Sequence, residues 1–301
     1  MNIYWLEQTE ADVPSEEDWL GPDEMLLLSG MRFAKRRADW RLGRWTTKQA
    51  IAAYLQLTIC PSALADMQIL AAPSGAPQAW FKKQIAPLVI SISHSSGRAI
   101  CAVAPSGAAL GCDLELIEAR SECFVSDYFT TEEQATISRV SPNQRMQLVT
   151  LLWSAKESAL KMLGVGLRID TRLVAVNLVA ESQLVRENCV SSAVDTNGRA
   201  CCNNPWQPLQ VRYAGGQVFD GWWQRADYFV RTLVAAPASG RPVLIPGPEI
   251  GMLPVSDGNQ SVNVLPSDRD GIFLHLRDVR LRDANPAGKG ANSRWVVQTH
   301  L

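Results

Sequence analysis

The sequence predicts an α+β fold of two similar lobes followed by a tail, and three observations predict it. Two stretches, about 22–57 and 143–163, repeat apolar residues at helical spacing. Each is preceded by an extended apolar segment and followed by others. The order begins again after Pro105-Ser106-Gly107, a turn-forming run that separates 1–107 from 108–235. No clear sequence repeat is read between the two halves. From about Ala236 the composition changes, with Pro237, Gly240, Pro242, Pro246, Gly247 and Pro248 crowded together, so 236–301 is set apart as a Pro/Gly-rich tail.

Residues 1–10 alternate apolar and polar, as a strand does. Pro14 to Asp18 is a turn that could start a helix. The helical pattern from Pro22 to Leu57 has a break near Ser29-Gly30, and Cys60-Pro61-Ser62 ends it. Ala72-Pro73-Ser74-Gly75-Ala76-Pro77 is loop chemistry. Leu88–Ser93 and Ala99–Ala104 read as a hairpin whose turn is Ser95-Ser96-Gly97-Arg98. Leu110–Leu116 is a strand. Thr130-Thr131-Glu132-Glu133 sets capping oxygens ahead of carboxylates, a helix start. Ser141-Pro142 starts a long helix that Gly164-Val165-Gly166 stops. Strands are expected at Leu173–Val179, Leu209–Tyr213 and Tyr228–Ala235, and Ile272–Leu276 could add one in the tail.

The 301 residues are 47% hydrophobic, enough for a sizeable core. A net charge of −1 offers no global attraction for nucleic acid or an anionic membrane, so neither is an expected partner. No basic n-region opens the chain and no run approaches a membrane span, which makes a cytoplasmic protein the expectation. The seven cysteines are odd in number and scattered, Cys201-Cys202 included, which suits a reducing compartment better than a disulfide framework or a zinc site.

Three short segments hold the chemistry: Ser93-His94-Ser95, Gly111-Cys112-Asp113-Leu114-Glu115, and Trp153 through Lys161. Residues two apart on a strand share a face, so Asp113 and Glu115 lie side by side. Alone, that is more often an exposed edge strand. Trp153, Glu157 and Lys161 form an i, i+4 row; alone, that is more often a surface Glu-to-Lys pair. His94 alone is more often a structural hydrogen-bonding residue. The other two histidines lie in the tail, so a poly-histidine metal site is excluded from the main body. Arg36, Arg37, Arg41, Arg44 and Lys48 fall within an arc of roughly 140° on a helix, either a solvated face or one that grips phosphate. Together the segments supply the carboxylates and cations that a hard divalent ion on a pyrophosphate requires.

At these residues the chain resembles the 4′-phosphopantetheinyl transferases of the large, monomeric Sfp type, within the holo-acyl-carrier-protein synthase superfamily. That family's pattern is a strand ending in Ser-His or Thr-His, then Gly-x-Asp-x-Glu, then Trp-x-x-Lys-Glu-x-x-x-Lys. Ser93-His94, Gly111 to Glu115 and Trp153 to Lys161 match it in order, over about residues 1–235. The resemblance implies two pseudo-symmetric α+β lobes with the site between them. It implies a monomer that transfers the phosphopantetheine arm of coenzyme A to a serine of an apo acyl or peptidyl carrier protein. Such carriers serve fatty acid, polyketide or nonribosomal peptide synthesis, and adenosine 3′,5′-bisphosphate is released.

By the same resemblance Asp113, Glu115 and Glu157 would hold Mg²⁺, and Lys161 would neutralise a phosphate. Glu157 would be the candidate base, with Asp113 and Lys161 the other catalytic positions. Ser93, His94, Arg36, Arg44, Gly75 and Pro77, with Asp113 and Lys161, would bind coenzyme A. The loop Ser74-Gly75-Ala76-Pro77 lacks the family's lysine, for which Lys82 or Lys83 would stand in. The stretch Phe124–Thr131 is, by analogy, a docking candidate for the carrier. Two rival readings keep the same residues: a Mg²⁺-dependent hydrolase of a nucleotide pyrophosphate, and a silent coenzyme A-binding regulator.

Overall fold

The computed structural model describes residues 1–178 and 205–245. All belong to one compact unit, Met1–Gly251. The expected strand Ile272–Leu276, Cys201-Cys202 and most of the Pro/Gly-rich tail lie outside the described residues.

The first half opens with β1 (Tyr4–Thr9). The helical stretch is split as expected, into α1 (Pro22–Ser29) and α2 (Ala34–Tyr54). Cys60-Pro61-Ser62 does not end that helix. Gln56 in the left-handed region (φ 54°) follows its last turn, and Pro61 instead opens a short helix, α3 (Pro61–Ala65), at the position where a missing N–H costs nothing. The three-stranded sheet β2 (Met67–Ala71), β3 (Pro77–Phe81) and β4 (Gln84–Ile85) was not expected, because these strands are too short to show alternation. β5 (Leu88–Ser95) and β6 (Arg98–Pro105) form the expected hairpin. Its two-residue turn, Ser96-Gly97, has both φ angles positive (47° and 73°), as a type I′ turn requires.

The second half runs β7 (Ala109–Leu116), α4 (Glu122–Tyr128), α5 (Thr131–Ile137) and α6 (Pro142–Met162). It continues with β8 (Val174–Leu178), β9 (Gln207–Tyr213), β10 (Val218–Ala226) and β11 (Phe229–Ala236). α4 and β10 were not expected. β12 (Val243–Leu244), inside the tail stretch, returns to pair in parallel with β1.

The sheets are β12-β1-β6-β5 and β7-β11-β10-β9-β8. β5 and β7 pack side by side without a backbone ladder. Serine side chains make the join: Cys112 N–H donates to Ser91 Oγ at 2.8 Å, and Ser93 Oγ donates to Asp113 Oδ1 at 2.8 Å. Ile3, Trp5, Ile100, Leu114, Leu233 and Phe229 fill the space between the sheets. α2 and α6 each cover a separate core in their own half.

The structure also reveals a repeat that the sequence reading missed. Lys48 of α2 is fully buried and ion-paired with Glu24. Glu24 accepts the Gly21 N–H at 3.0 Å and the Ile69 N–H at 2.9 Å, while Lys48 donates to the carbonyls of Trp19 and Leu64. In the second half Lys156 of α6, also fully buried, pairs with Glu133 at 2.8 Å. Glu133 closes a capping box at Thr130 and accepts the Val176 N–H at 2.8 Å, while Lys156 donates to the carbonyls of Thr171 and Val174. Burial is the main force lowering each lysine's pKa, and its glutamate opposes it. Aligned on these lysines, Trp45-Thr46-Thr47-Lys48-Gln49 answers Trp153-Ser154-Ala155-Lys156-Glu157. The repeat hides because only the tryptophan and the lysine are identical.

Candidate active site

Asp113 and Glu115 lie on β7, opposite Thr232 and Val230 of β11 in register. α6 crosses this strand closely. A Cβ at Gly111 would meet Ser158 O at 1.8 Å, so no larger residue permits the approach. Ser154 and Ser158, one turn apart, bond Thr232 Oγ1 at 2.9 and 2.7 Å and fix the helix over the strands. Sequence reasoning missed that anchor; its only signal was two small hydroxyls at i, i+4 on an otherwise apolar face.

That approach brings Lys161 to Asp113. Lys161 Nζ donates to Asp113 Oδ1 at 2.8 Å and to Cys112 O at 3.0 Å. Ser93 Oγ donates to the same carboxylate oxygen. Asp113 is 3% exposed, and among the described residues its other oxygen, Oδ2, has no hydrogen-bond partner. Burial disfavours charge on Lys161, but Asp113 and Glu157 outweigh it and hold the ammonium protonated above its ordinary range. Burial, followed by repulsion from Asp113, raises Glu157 to about 7. The same two causes raise Glu115 to about 8, against the attraction of Arg120. His94 opens onto solvent, yet packing around its ring disfavours the imidazolium; Asp39 opposes this and Lys161 adds to it. The structure therefore gathers Ser93, His94, Asp113, Glu115, Glu157 and Lys161 into one electrostatically linked cluster.

The predicted cationic face of α2 is only partly present. Lys48 is spent in the buried pair. Arg37 donates to Leu28 O at 2.8 Å, and Arg41 to Ser15 O and Glu16 O at 3.0 and 3.2 Å, so both secure the neighbouring turns. Arg44 lies 4.7 Å from the Trp40 ring, and its buried Nε has no hydrogen-bond partner among the described residues. Burial chiefly lowers its pKa, and it adds to the field that disfavours charge on His94. Arg36 is exposed.

Gly75 (φ +91°) and Pro77 sit at the β2–β3 turn. Lys82 and Lys83 lie at the far end of β3, about 13 Å of strand away, so neither replaces a cation in that turn. Arg168, from the turns after α6, instead reaches it, donating to Ser74 O at 3.2 Å. Phe124 and Tyr128, in the docking candidate, pack against Trp153 with ring centroids 5.0 and 5.1 Å away, while Phe129 is fully buried.

Among the described residues no three His, Cys, Asp or Glu side chains converge as a ready-made metal cage. The donors still fit a hard cation. An unpartnered buried carboxylate oxygen on Asp113 has two neighbouring carboxylates that burial and mutual repulsion push toward the neutral form.

Residues 109–214 match the family model of the 4′-phosphopantetheinyl transferase superfamily. Among solved structures, the Helicobacter pylori holo-[acyl-carrier-protein] synthase in complex with coenzyme A is similar at 24% identity. That match covers 35% of this chain and 99% of that one, with a TM-score of 0.28. The Bacillus anthracis holo-(acyl-carrier-protein) synthase in complex with CoA (3′,5′-ADP) is similar at 19% identity, covering 34% and 92%, with a TM-score of 0.29. A search of the curated proteins gave no match. Both the Gly111–Glu115 strand and the Trp153–Lys161 helix fall inside the span, residues 109–214, that is similar to the 4′-phosphopantetheinyl transferase superfamily.

Proposed function

We propose that the chain transfers the phosphopantetheine arm of coenzyme A to a serine of an apo acyl or peptidyl carrier protein. The observation that carries this reading is Asp113, held through one oxygen by Ser93 and Lys161 with the other left unpartnered beside Glu115 and Glu157. We read residues 1–107 and 108–235 as two lobes with the site between them, and 236–301 as an appended tail.

Asp113, Glu115 and Glu157 would hold Mg²⁺, which when bound supplies charge neutralisation at the pyrophosphate. Lys161, kept protonated by two carboxylates, meets a phosphate oxygen with full positive charge. Arg44 and Arg36 receive the nucleotide's remaining negative charge, with Ser93 and His94 beside them. Arg168 supplies, at the Gly75–Pro77 turn, the cation which that loop itself lacks. Glu157 accepts the serine proton, directly or through a water. The serine oxygen then bonds the phosphorus that carries the pantetheine arm. The bond from that phosphorus to the bridging oxygen breaks, and the pair of electrons leaves with adenosine 3′,5′-bisphosphate.

The test is to incubate the full chain with coenzyme A, Mg²⁺ and a panel of apo carriers and measure intact mass. Gain of one phosphopantetheine arm is expected, and is lost when the carrier serine is replaced by alanine. Release of the bisphosphate with no carrier present would favour a hydrolase.

A further inference from the structure

Arg120 belongs to none of the sequence patterns above, yet it touches a residue of the candidate site. Its Nη2 lies 3.5 Å from Glu115 Oε2 and 3.0 Å from Glu118 Oε1. Its guanidinium rests 5.2 Å from the Phe124 ring centroid. Phe124 in turn packs at 5.0 Å against Trp153, which stands one helical turn before Glu157 on α6. One aromatic group thus supports both the guanidinium and the turn that leads to a second carboxylate of the site.

We infer that Arg120 is the resident counter-cation of Glu115, a positioning residue that a divalent cation must displace before Glu115 coordinates it. The inference rests on reading Asp113, Glu115 and Glu157 as the ion's ligands. Three observations support it. Lys161 already answers Asp113, so among the described residues Arg120 is the cation in contact with Glu115. The two contacts are unequal, and the longer one is to Glu115. Glu118 is also half exposed, so Arg120 can withdraw toward solvent and keep its pair with Glu118 and its aromatic support.

The test is Mn²⁺ binding to the full chain with coenzyme A present, followed by calorimetry or by the paramagnetic signal of free Mn²⁺. Arg120→Ala removes the competitor, and about fivefold tighter binding is expected. Glu118→Gln leaves Arg120 wholly to Glu115, and weaker binding of similar size is expected. Unchanged or weaker binding by Arg120→Ala would overturn the inference. If Arg120→Ala does not melt like the wild type, Glu118→Gln decides, and unchanged or tighter binding there overturns it. Absence of Mn²⁺ binding by the wild type would also overturn it. Absence of carrier modification with Mn²⁺ binding intact would remove the transferase reading and leave Arg120 in place.

Discussion

Lys161 Nζ sits 2.8 Å from Asp113 Oδ1, and the bond runs from the last turn of α6 to the middle of β7. It commits one carboxylate oxygen and leaves the other without a donor among the described residues. Ser93 reinforces the same choice from the neighbouring sheet. The carboxylate is therefore aimed before any ligand arrives.

Asp113→Asn tests that aim. The amide keeps the shape but removes the charge, so carrier modification should fall by about 10³-fold or more. Lys161 then loses its ion pair, but as it is 29% exposed it can turn toward water, so the variant should still fold. Rates of carrier modification alongside thermal melts check both statements, and near-wild-type transfer would refute the role of Asp113.

Glu157→Gln should stabilise the ion-free protein at alkaline pH. Glu157 is raised from its ordinary 4.5 to about 7 and Glu115 to about 8, so the folded chain binds these protons more tightly than the unfolded chain. Their contribution to stability is fully present below about 4.5 and is lost as pH rises through about 7 and 8. Melts with a chelator present should therefore show the variant gaining about 1–2 kcal/mol more at pH 8.5 than at pH 5. An equal effect at both values would refute the assignment.

Lys156→Met should be among the most destabilising changes in the second half. It leaves Glu133 charged and buried, at a cost of about 3–5 kcal/mol. The double variant Glu133→Leu with Lys156→Met should recover part of that loss, because no charge is stranded. Urea unfolding of the two variants gives the comparison, and a double variant no more stable than the single would count against it.

Arg168→Ala should raise the Michaelis constant for coenzyme A about tenfold and leave the turnover number nearly unchanged. Lys82→Ala should change neither, as Lys82 lies at the other end of β3. Steady-state kinetics on both variants, with coenzyme A varied, separates the two loops.

Much of the candidate site was legible because its residues are local in sequence. Asp113 and Glu115 share a strand, and Trp153, Glu157 and Lys161 share a helix face. The hairpin and both long helices announced themselves by turn chemistry and periodicity. Illegible were features that depend on residues far apart in the chain. Lys48 looks like one more surface cation until Glu24, 24 residues earlier, is seen to bury it. Arg120 and Arg168 carry no motif; only the folded chain shows what they touch. Short strands such as β2 and β4 are too brief to display alternation. The tryptophan–lysine repeat stayed hidden because the buried glutamate precedes its lysine by 24 residues in one half and by 23 in the other, among unrelated neighbours.

That duplicated scaffold means each half owns a rigid strut of its own. Where the second copy of the segment offers Glu157 and Lys161, the first offers Gln49 and Ala53. A symmetric pair of identical subunits could not hold such a difference, since any side chain introduced once would appear twice. Joining both copies in one polypeptide lets one carry Glu157 and Lys161 while the other carries Gln49 and Ala53.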